Sequence, residues 1–191
     1  KPIHPCVGYT DHALRKFFEY AQKQDWYDNT LVIITADHTN QVTLPQYATA
    51  KGLFEVPIAF YSQQLEQGVF HDQGTVSQTD IMPSVLNYLG YQQPYVAFGE
   101  DALTRPKTHP WAVCYNHPVY QLLTDSLLLQ FDAQQVSAVY NFHNDPLLTH
   151  DIADQCQTTE LETYLKAYIQ QYIYRLTTNQ LTIPKNGNTS R

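Results

Sequence analysis

Hydrophobic positions early in the chain change from helical spacing to an unbroken run. The positions at helical spacing are Ala13, Leu14, Phe17, Phe18 and Ala21. They predict a helix with one apolar face, starting near residues 9–11, where Thr10 or Asp11 can cap it. Residues 31–36 (LVIITA) then form a continuous apolar run, which is typical of a strand buried on both faces of a parallel sheet. A helix followed by a buried strand predicts an α/β fold.

The α/β pattern continues towards residue 100. Residues 56–61 (VPIAFY) predict a second strand, and residues 77–89 predict a second helix. Thr79 or Asp80 is expected to cap this helix, and Gly90 is expected to end it in a left-handed conformation.

From about residue 111 the pattern predicts a different architecture. Short apolar runs separated by turn residues indicate an antiparallel meander, and residues 158–176 predict a final amphipathic helix. The runs are residues 111–115, 119–122, 127–131 and 138–142. We therefore expect an α/β core over residues 1–105, a small antiparallel sheet with a C-terminal helix over 106–183, and a flexible tail over 184–191.

The composition of the chain argues against several classes of function. The 191 residues carry a formal net charge of -7 and include 43% hydrophobic residues, so the chain can bury a core but offers no basic stripe for nucleic acid. Cys6, Cys114 and Cys156 are widely spaced, and no CxxC pair indicates a zinc knuckle or redox motif. No apolar run approaches the length of a membrane span. Because the chain begins at Lys1 and enters a structured pattern almost at once, we expect an upstream half to be missing.

The dipeptide Asp37-His38 is the candidate metal centre. It directly follows the apolar run, and ligands of open α/β sheets bind beyond the carboxyl ends of strands. A carboxylate oxygen and a neutral imidazole suit a divalent metal ion such as zinc or manganese. A second dipeptide, Asp11-His12, weakens the signal, but helix capping explains Asp11 without a metal. A solvated turn remains the alternative for Asp37-His38.

Six motifs follow one another along the chain: residues 9–14 (YTDHAL), 25–30 (DWYDNT), 33–38 (IITADH), 56–58 (VPI), 78–86 (QTDIMPSVL) and 97–101 (AFGED). This ordered set resembles the lipoteichoic-acid-synthase-like sulfatases of the alkaline phosphatase superfamily. The resemblance covers about residues 5–150. It implies an alkaline-phosphatase-like α/β/α sandwich fragment and supports Asp37 and His38 as ligands of one divalent metal ion (Mn, Mg, Zn or Ca).

The resemblance also implies a reaction and a location. Such enzymes cleave or transfer sulfate or phosphate esters at the outer face of a bacterial membrane, and their hydroxyl or modified-cysteine nucleophile lies upstream of this chain. The fragment alone is therefore expected to be soluble and inactive, and to need the missing N-terminal half. A phosphoethanolamine or glycerophosphate transferase, a non-catalytic binding module and a homo-oligomer remain alternatives. Weaker candidates for substrate binding are Thr39, Asn40 and His71, and a surface-loop role competes for His71.

Overall fold

The computed structural model describes residues 3–39, 42–65, 74–103 and 107–183. The chain forms two compact units, each of which is described by itself. Unit 1 comprises Lys1–Ala48 and Gly52–His71, and unit 2 comprises Thr49–Lys51 and Asp72–Arg191. The boundary expected near residue 105 concerns the extent of a catalytic core, and it stays a prediction.

Unit 1 begins with helix α1, Ile3–Ala21. The helix starts two turns earlier than predicted. Pro5 is tolerated in its first turn, because proline lacks only an N–H that the start of a helix leaves unbonded anyway. Within α1 only Ala21 is buried, while Leu14 and Phe17 on the predicted apolar face stay 37% and 43% exposed. The face exists as predicted, but little of it is covered within unit 1.

Two short strands follow, β1 at Val32–Thr35 and β2 at Ile58–Tyr61. They pair antiparallel, with Val32 opposite Tyr61 and Thr35 opposite Ile58. The prediction of a parallel strand buried on both faces is therefore wrong for the described sheet, since β1 is half-buried and ends in the exposed Thr35. An apolar run reports that a strand forms, but it reports neither the direction of its neighbour nor what covers its faces.

Aromatic contacts hold unit 1 together. The ring of Phe18 on α1 meets Tyr61 of β2 edge-on, with centroids 5.3 Å apart. The hydroxyl of Tyr61 lies 2.6 Å from that of the buried Tyr27, which belongs to a 3-10 turn between α1 and β1. These contacts seat the C-terminal end of α1 against the sheet and so fix the segment that leads into β1.

Unit 2 opens with helix α2, Ile81–Tyr88. Ser77 caps the 3-10 turn that precedes it, and the carboxylate of Asp80 accepts a hydrogen bond from the Ser77 backbone N–H. This capping box replaces the predicted cap at Thr79 or Asp80. Gly90 has φ +68°, which confirms the predicted left-handed end of the helix.

The rest of unit 2 is a four-stranded antiparallel meander and one long helix, as predicted. The strands are β3 (Ala112–Asn116), β4 (Val119–Leu123), β5 (Leu127–Phe131) and β6 (Val136–Asn141), paired in chain order. Helix α3, Thr159–Thr177, packs its buried Leu165 against Leu122, Leu129 and Val139. The alternating side chains of the meander supply this core. Across the described residues, no helix is long and apolar enough to cross a membrane.

Candidate metal centre

The Asp37-His38 dipeptide lies two residues beyond the end of β1, in a bend that turns the backbone out of the strand. Oδ1 of Asp37 accepts a hydrogen bond from the His38 backbone N–H at 2.9 Å. This bond fixes the carboxylate and directs its second oxygen towards the side chain of His38. Both side chains are largely exposed, 86% for Asp37 and 69% for His38, so an ion could reach them from solvent.

The imidazole of His38 is held in one tautomer. Its Nδ1 lies 2.7 Å from the carbonyl oxygen of Thr39. A carbonyl oxygen can only accept, so Nδ1 must carry the proton, and in the neutral ring Nε2 keeps its lone pair. Metal-ligating histidines use this arrangement, in which an outer carbonyl orients the ring and fixes the tautomer.

Nε2 of His38 and Oδ2 of Asp37 lie 3.4 Å apart. This distance is longer than an N–H···O hydrogen bond. It is close to the separation of about 3.4 Å expected for two donors that each lie about 2.1 Å from one tetrahedral ion. The oxygen and the nitrogen can therefore converge on one point, and their chemistry fits a divalent metal ion with mixed N/O ligands.

The described residues supply these two donors and no complete site. Within residues 3–39, 42–65, 74–103 and 107–183, no three His, Cys, Asp or Glu side chains lie close enough together to hold a metal ion. The hydroxyl of Thr39 donates to the carbonyl oxygen of Leu53 at 2.7 Å, so it ties down the segment after β1. Asn40 and His71, the other substrate-binding candidates, lie outside the described residues.

The second dipeptide, Asp11-His12, has a different environment. It lies in the interior of α1, so the interpretation of Asp11 as a helix cap is wrong, because the helix begins at Ile3. Asp11 instead faces Arg15 one turn later, with a guanidinium nitrogen 3.6 Å from its carboxylate. Adjacent helical residues point about 100° apart, which leaves Asp11-His12 as a natural control for the pair at Asp37-His38.

Unit 2 contains a buried ion pair that the sequence analysis did not predict. The ammonium of Lys107 lies 2.7 Å from Oδ2 of Asp80, and both side chains are almost fully buried. Asp80 also accepts from the backbone N–H of Glu100 at 2.8 Å, while Lys107 donates to the carbonyl oxygens of Thr75 and Trp111. The sequence context predicts Asp80 at the start of a helix, but a partner 27 residues away leaves no local signal.

Comparisons with known proteins found a family model and solved structures that are similar to this chain. Residues 5–91 match the Sulfatase family model. A protein of the alkaline phosphatase superfamily from Vibrio parahaemolyticus superposes with a TM-score of 0.77 at 20% identity, over 93% of this chain and 42% of that chain. A structure solved in complex with its substrate D-glucosamine-2-N,6-O-disulfate superposes with a TM-score of 0.57 at 14% identity, over 91% of this chain and 40% of that chain. Curated protein sequences gave no significant match.

The chain thus has an α/β fold similar to that of a solved member of the alkaline phosphatase superfamily, and the small antiparallel sheet β3–β6 and the C-terminal helix were predicted, whereas the antiparallel pairing of β1 and β2 was not. The match to the Sulfatase family model covers less than half of the chain. The chain spans less than half the length of either solved structure.

Proposed function

We propose that Asp37 and His38 are two ligands of one divalent metal ion in a lipoteichoic-acid-synthase-like sulfatase, which cleaves or transfers sulfate or phosphate esters. The 3.4 Å separation of Nε2 and Oδ2, with the proton of His38 held on Nδ1, carries this proposal. Mn, Mg, Zn and Ca would each suit the carboxylate, and the imidazole favours Mn or Zn. Such an ion supplies a Lewis acid for the charge that develops on an ester oxygen.

The remaining ligands and the nucleophile belong, in this proposal, to an N-terminal half of the same protein. Two observations support that division. The solved neighbours are more than twice as long as the part that this chain covers. Leu14 and Phe17 on α1 leave an apolar face that such a half would bury. A second copy of the chain is the competing occupant of this face, and size-exclusion chromatography with light scattering separates the two.

The resemblance to lipoteichoic-acid-synthase-like enzymes supports a location as well. We propose that the complete enzyme is anchored in a bacterial membrane and holds this part of its catalytic domain on the outer face. Its substrate would then be an extracytoplasmic sulfate or phosphate ester. The structure with a bound disulfated glucosamine shows that a protein of similar fold accepts a sulfated sugar, which supports the sulfate-ester version of the proposal.

Isothermal titration of the chain with Mn²⁺ and Zn²⁺ tests the metal assignment. One weak site is expected, and Asp37→Asn should lower its affinity at least about tenfold, because losing even an outer partner of a metal ligand costs that much. His38→Ala should act likewise. The matched control is Asp11→Asn, which removes the same charge from the other Asp-His pair and should leave binding unchanged.

Two outcomes would contradict the proposal. Equal metal affinity in Asp37→Asn and in the unchanged chain would exclude the assigned ligands. Metal-dependent hydrolysis of aryl sulfates or aryl phosphates by the chain alone, above a no-protein control, would place the nucleophile within these 191 residues and overturn the proposed division between two halves.

A further inference from the structure

A groove of about 460 Å³ opens in unit 2 beside the first two turns of α3. This volume lies within the range of small-molecule sites. Three rings line it, those of His109, Trp111 and Tyr164. Polar side chains from the beginning of α3 complete the lining, among them Glu160 and Thr163.

The three rings form a corner. Trp111 and Tyr164 meet edge to face, with centroids 4.5 Å apart and planes at 88°. His109 stacks on Tyr164 at 5.8 Å and an angle of 28°, and it is tilted against Trp111 at 5.1 Å. Aromatic faces carry partial negative charge, so a face of these rings that is open to the groove would attract a compact cation.

Glu100 fixes one wall of this corner. One of its carboxylate oxygens accepts from the backbone N–H of His109 at 3.2 Å and lies 3.4 Å from Nδ1 of the same residue. The other oxygen accepts from the backbone N–H of Thr108 at 2.8 Å. The ring of His109 is therefore positioned by a negative group rather than left to rotate freely.

Glu160 is the one acidic side chain among the described residues that line the groove, and the ammonium of Lys107, which donates to the carbonyl oxygen of Trp111, is paired with Asp80. Glu160 is exposed at its rim, and none of the described side chains that line the groove is Lys or Arg. The pKa of the Tyr164 hydroxyl is raised, first by burial and then by the negative charges of Glu100 and Asp80. The two carboxylates favour a positive charge beside Tyr164, whereas burial opposes any added charge there.

We infer that this groove binds a small organic cation of the ammonium class, with the rings of Trp111 and Tyr164 against its alkyl groups and the carboxylate of Glu160 against its charge. Cation–π attraction and a carboxylate together are the usual recognition of quaternary ammonium groups. The inference does not depend on the proposed metal site.

An anion at the N-terminal end of α3 is the competing occupant, because that end of a helix carries partial positive charge. Glu160 and Glu162 already place two carboxylates in the first turn. They offset the helix dipole and would repel a bound sulfate or phosphate. The position of Glu160 at the groove rim therefore favours a cation.

Choline and its neutral isostere 3,3-dimethylbutanol distinguish charge recognition from simple apolar binding. The chain has two tryptophans, Trp26 and Trp111, so a Trp26→Phe variant leaves Trp111 as the sole tryptophan whose fluorescence reports binding. Choline is expected to give a saturable change in the millimolar range at constant ionic strength, and the isostere a change at least about fivefold weaker. Calorimetry on the same samples gives the stoichiometry.

Glu160→Gln should weaken choline binding about fivefold, as expected for one carboxylate near a cation in water. The matched control is Glu162→Gln in the same turn, where the carboxylate pairs with Lys166 at 2.6 Å and binding should change less than twofold. Glu160 is exposed, so circular dichroism of Glu160→Gln should match that of the unchanged chain. Equal binding of choline and its isostere, absence of saturation, tighter binding of sulfate, or equal effects of the two Glu→Gln variants would each overturn the inference.

Discussion

Replacing Lys107 by methionine removes the positive charge that faces the buried carboxylate of Asp80. The two side chains are 1% and 2% exposed, and Nζ lies 2.7 Å from Oδ2. Methionine keeps the length and most of the apolar stem, so the variant isolates the ammonium group. It leaves a buried carboxylate with only backbone donors, together with the carbonyl oxygens of Thr75 and Trp111 that Lys107 now contacts.

The expected loss of stability is large. Removing one partner of a buried ion pair costs about 3–5 kcal/mol, because the other charge stays buried without compensation. For a unit of this size, such a loss corresponds to a fall in the unfolding temperature of about 10 °C or more. The double variant Lys107→Met/Asp80→Asn should recover part of the loss, since the amide that replaces the Asp80 carboxylate carries no charge.

Urea unfolding followed by the fluorescence of Trp111, again in the Trp26→Phe background, measures this loss. The control is Lys166→Met, which breaks the partly exposed pair with Glu162 and should cost about 0.5 kcal/mol. A Lys107→Met variant within about 1 kcal/mol of the unchanged chain would refute the reasoning, because that cost belongs to surface pairs. Equal stability of the single and the double variants would refute the role of the uncompensated charge.

Two further predictions concern titrating groups. Burial raises the pKa of the Cys114 thiol to about 11, so near neutral pH maleimide should label the exposed Cys6 long before Cys114. Peptide mass spectrometry at timed intervals measures the order of labelling. Fast labelling of Cys114 in the folded chain would contradict its burial. Burial alone would raise the pKa of Glu100, but backbone hydrogen bonds from Thr108 and His109 outweigh it and hold the pKa below its ordinary value of 4.5. The ionised Glu100 therefore contributes fully to stability above pH 4.5, and this contribution is lost as the pH falls through the lower pKa of the folded state. The urea midpoint of the unchanged chain should fall below pH 4.5, and Glu100→Gln should make that fall less steep. An unchanged slope would show that this carboxylate is not coupled to folding.

Local patterns predicted most elements of the fold. The meander and α3 were placed within about two residues at each end, because alternation and four-residue steps depend only on neighbours along the chain. Gly90 was readable for the same reason, since a helix end needs a left-handed residue and glycine takes that conformation without strain. The start of α1 was placed too late, because Thr10 and Asp11 supply a capping signal inside a helix that begins at Ile3.

Long-range features could not be predicted in the same way. The run at residues 31–36 indicated a strand, but its antiparallel partner and its half-exposed faces depend on the chain that packs around it. The Lys107–Asp80 pair and the corner of His109, Trp111 and Tyr164 join residues that are far apart in sequence. The site at Asp37-His38 was proposed from its position after a strand, while the proton on Nδ1 of His38 became evident only from the contact with Thr39.

The most direct test of the metal site uses the paramagnetism of Mn²⁺. Nuclear magnetic resonance of the histidine imidazoles, with His38 and His12 assigned through His→Gln variants, reports which ring approaches the ion. If both side chains bind the ion, substoichiometric Mn²⁺ should broaden the signals of His38 first and leave His12 unaffected, and Asp37→Asn should abolish the effect. Equal broadening of both rings, or broadening of His38 that persists in Asp37→Asn, would contradict a cation held jointly by the carboxylate and the imidazole.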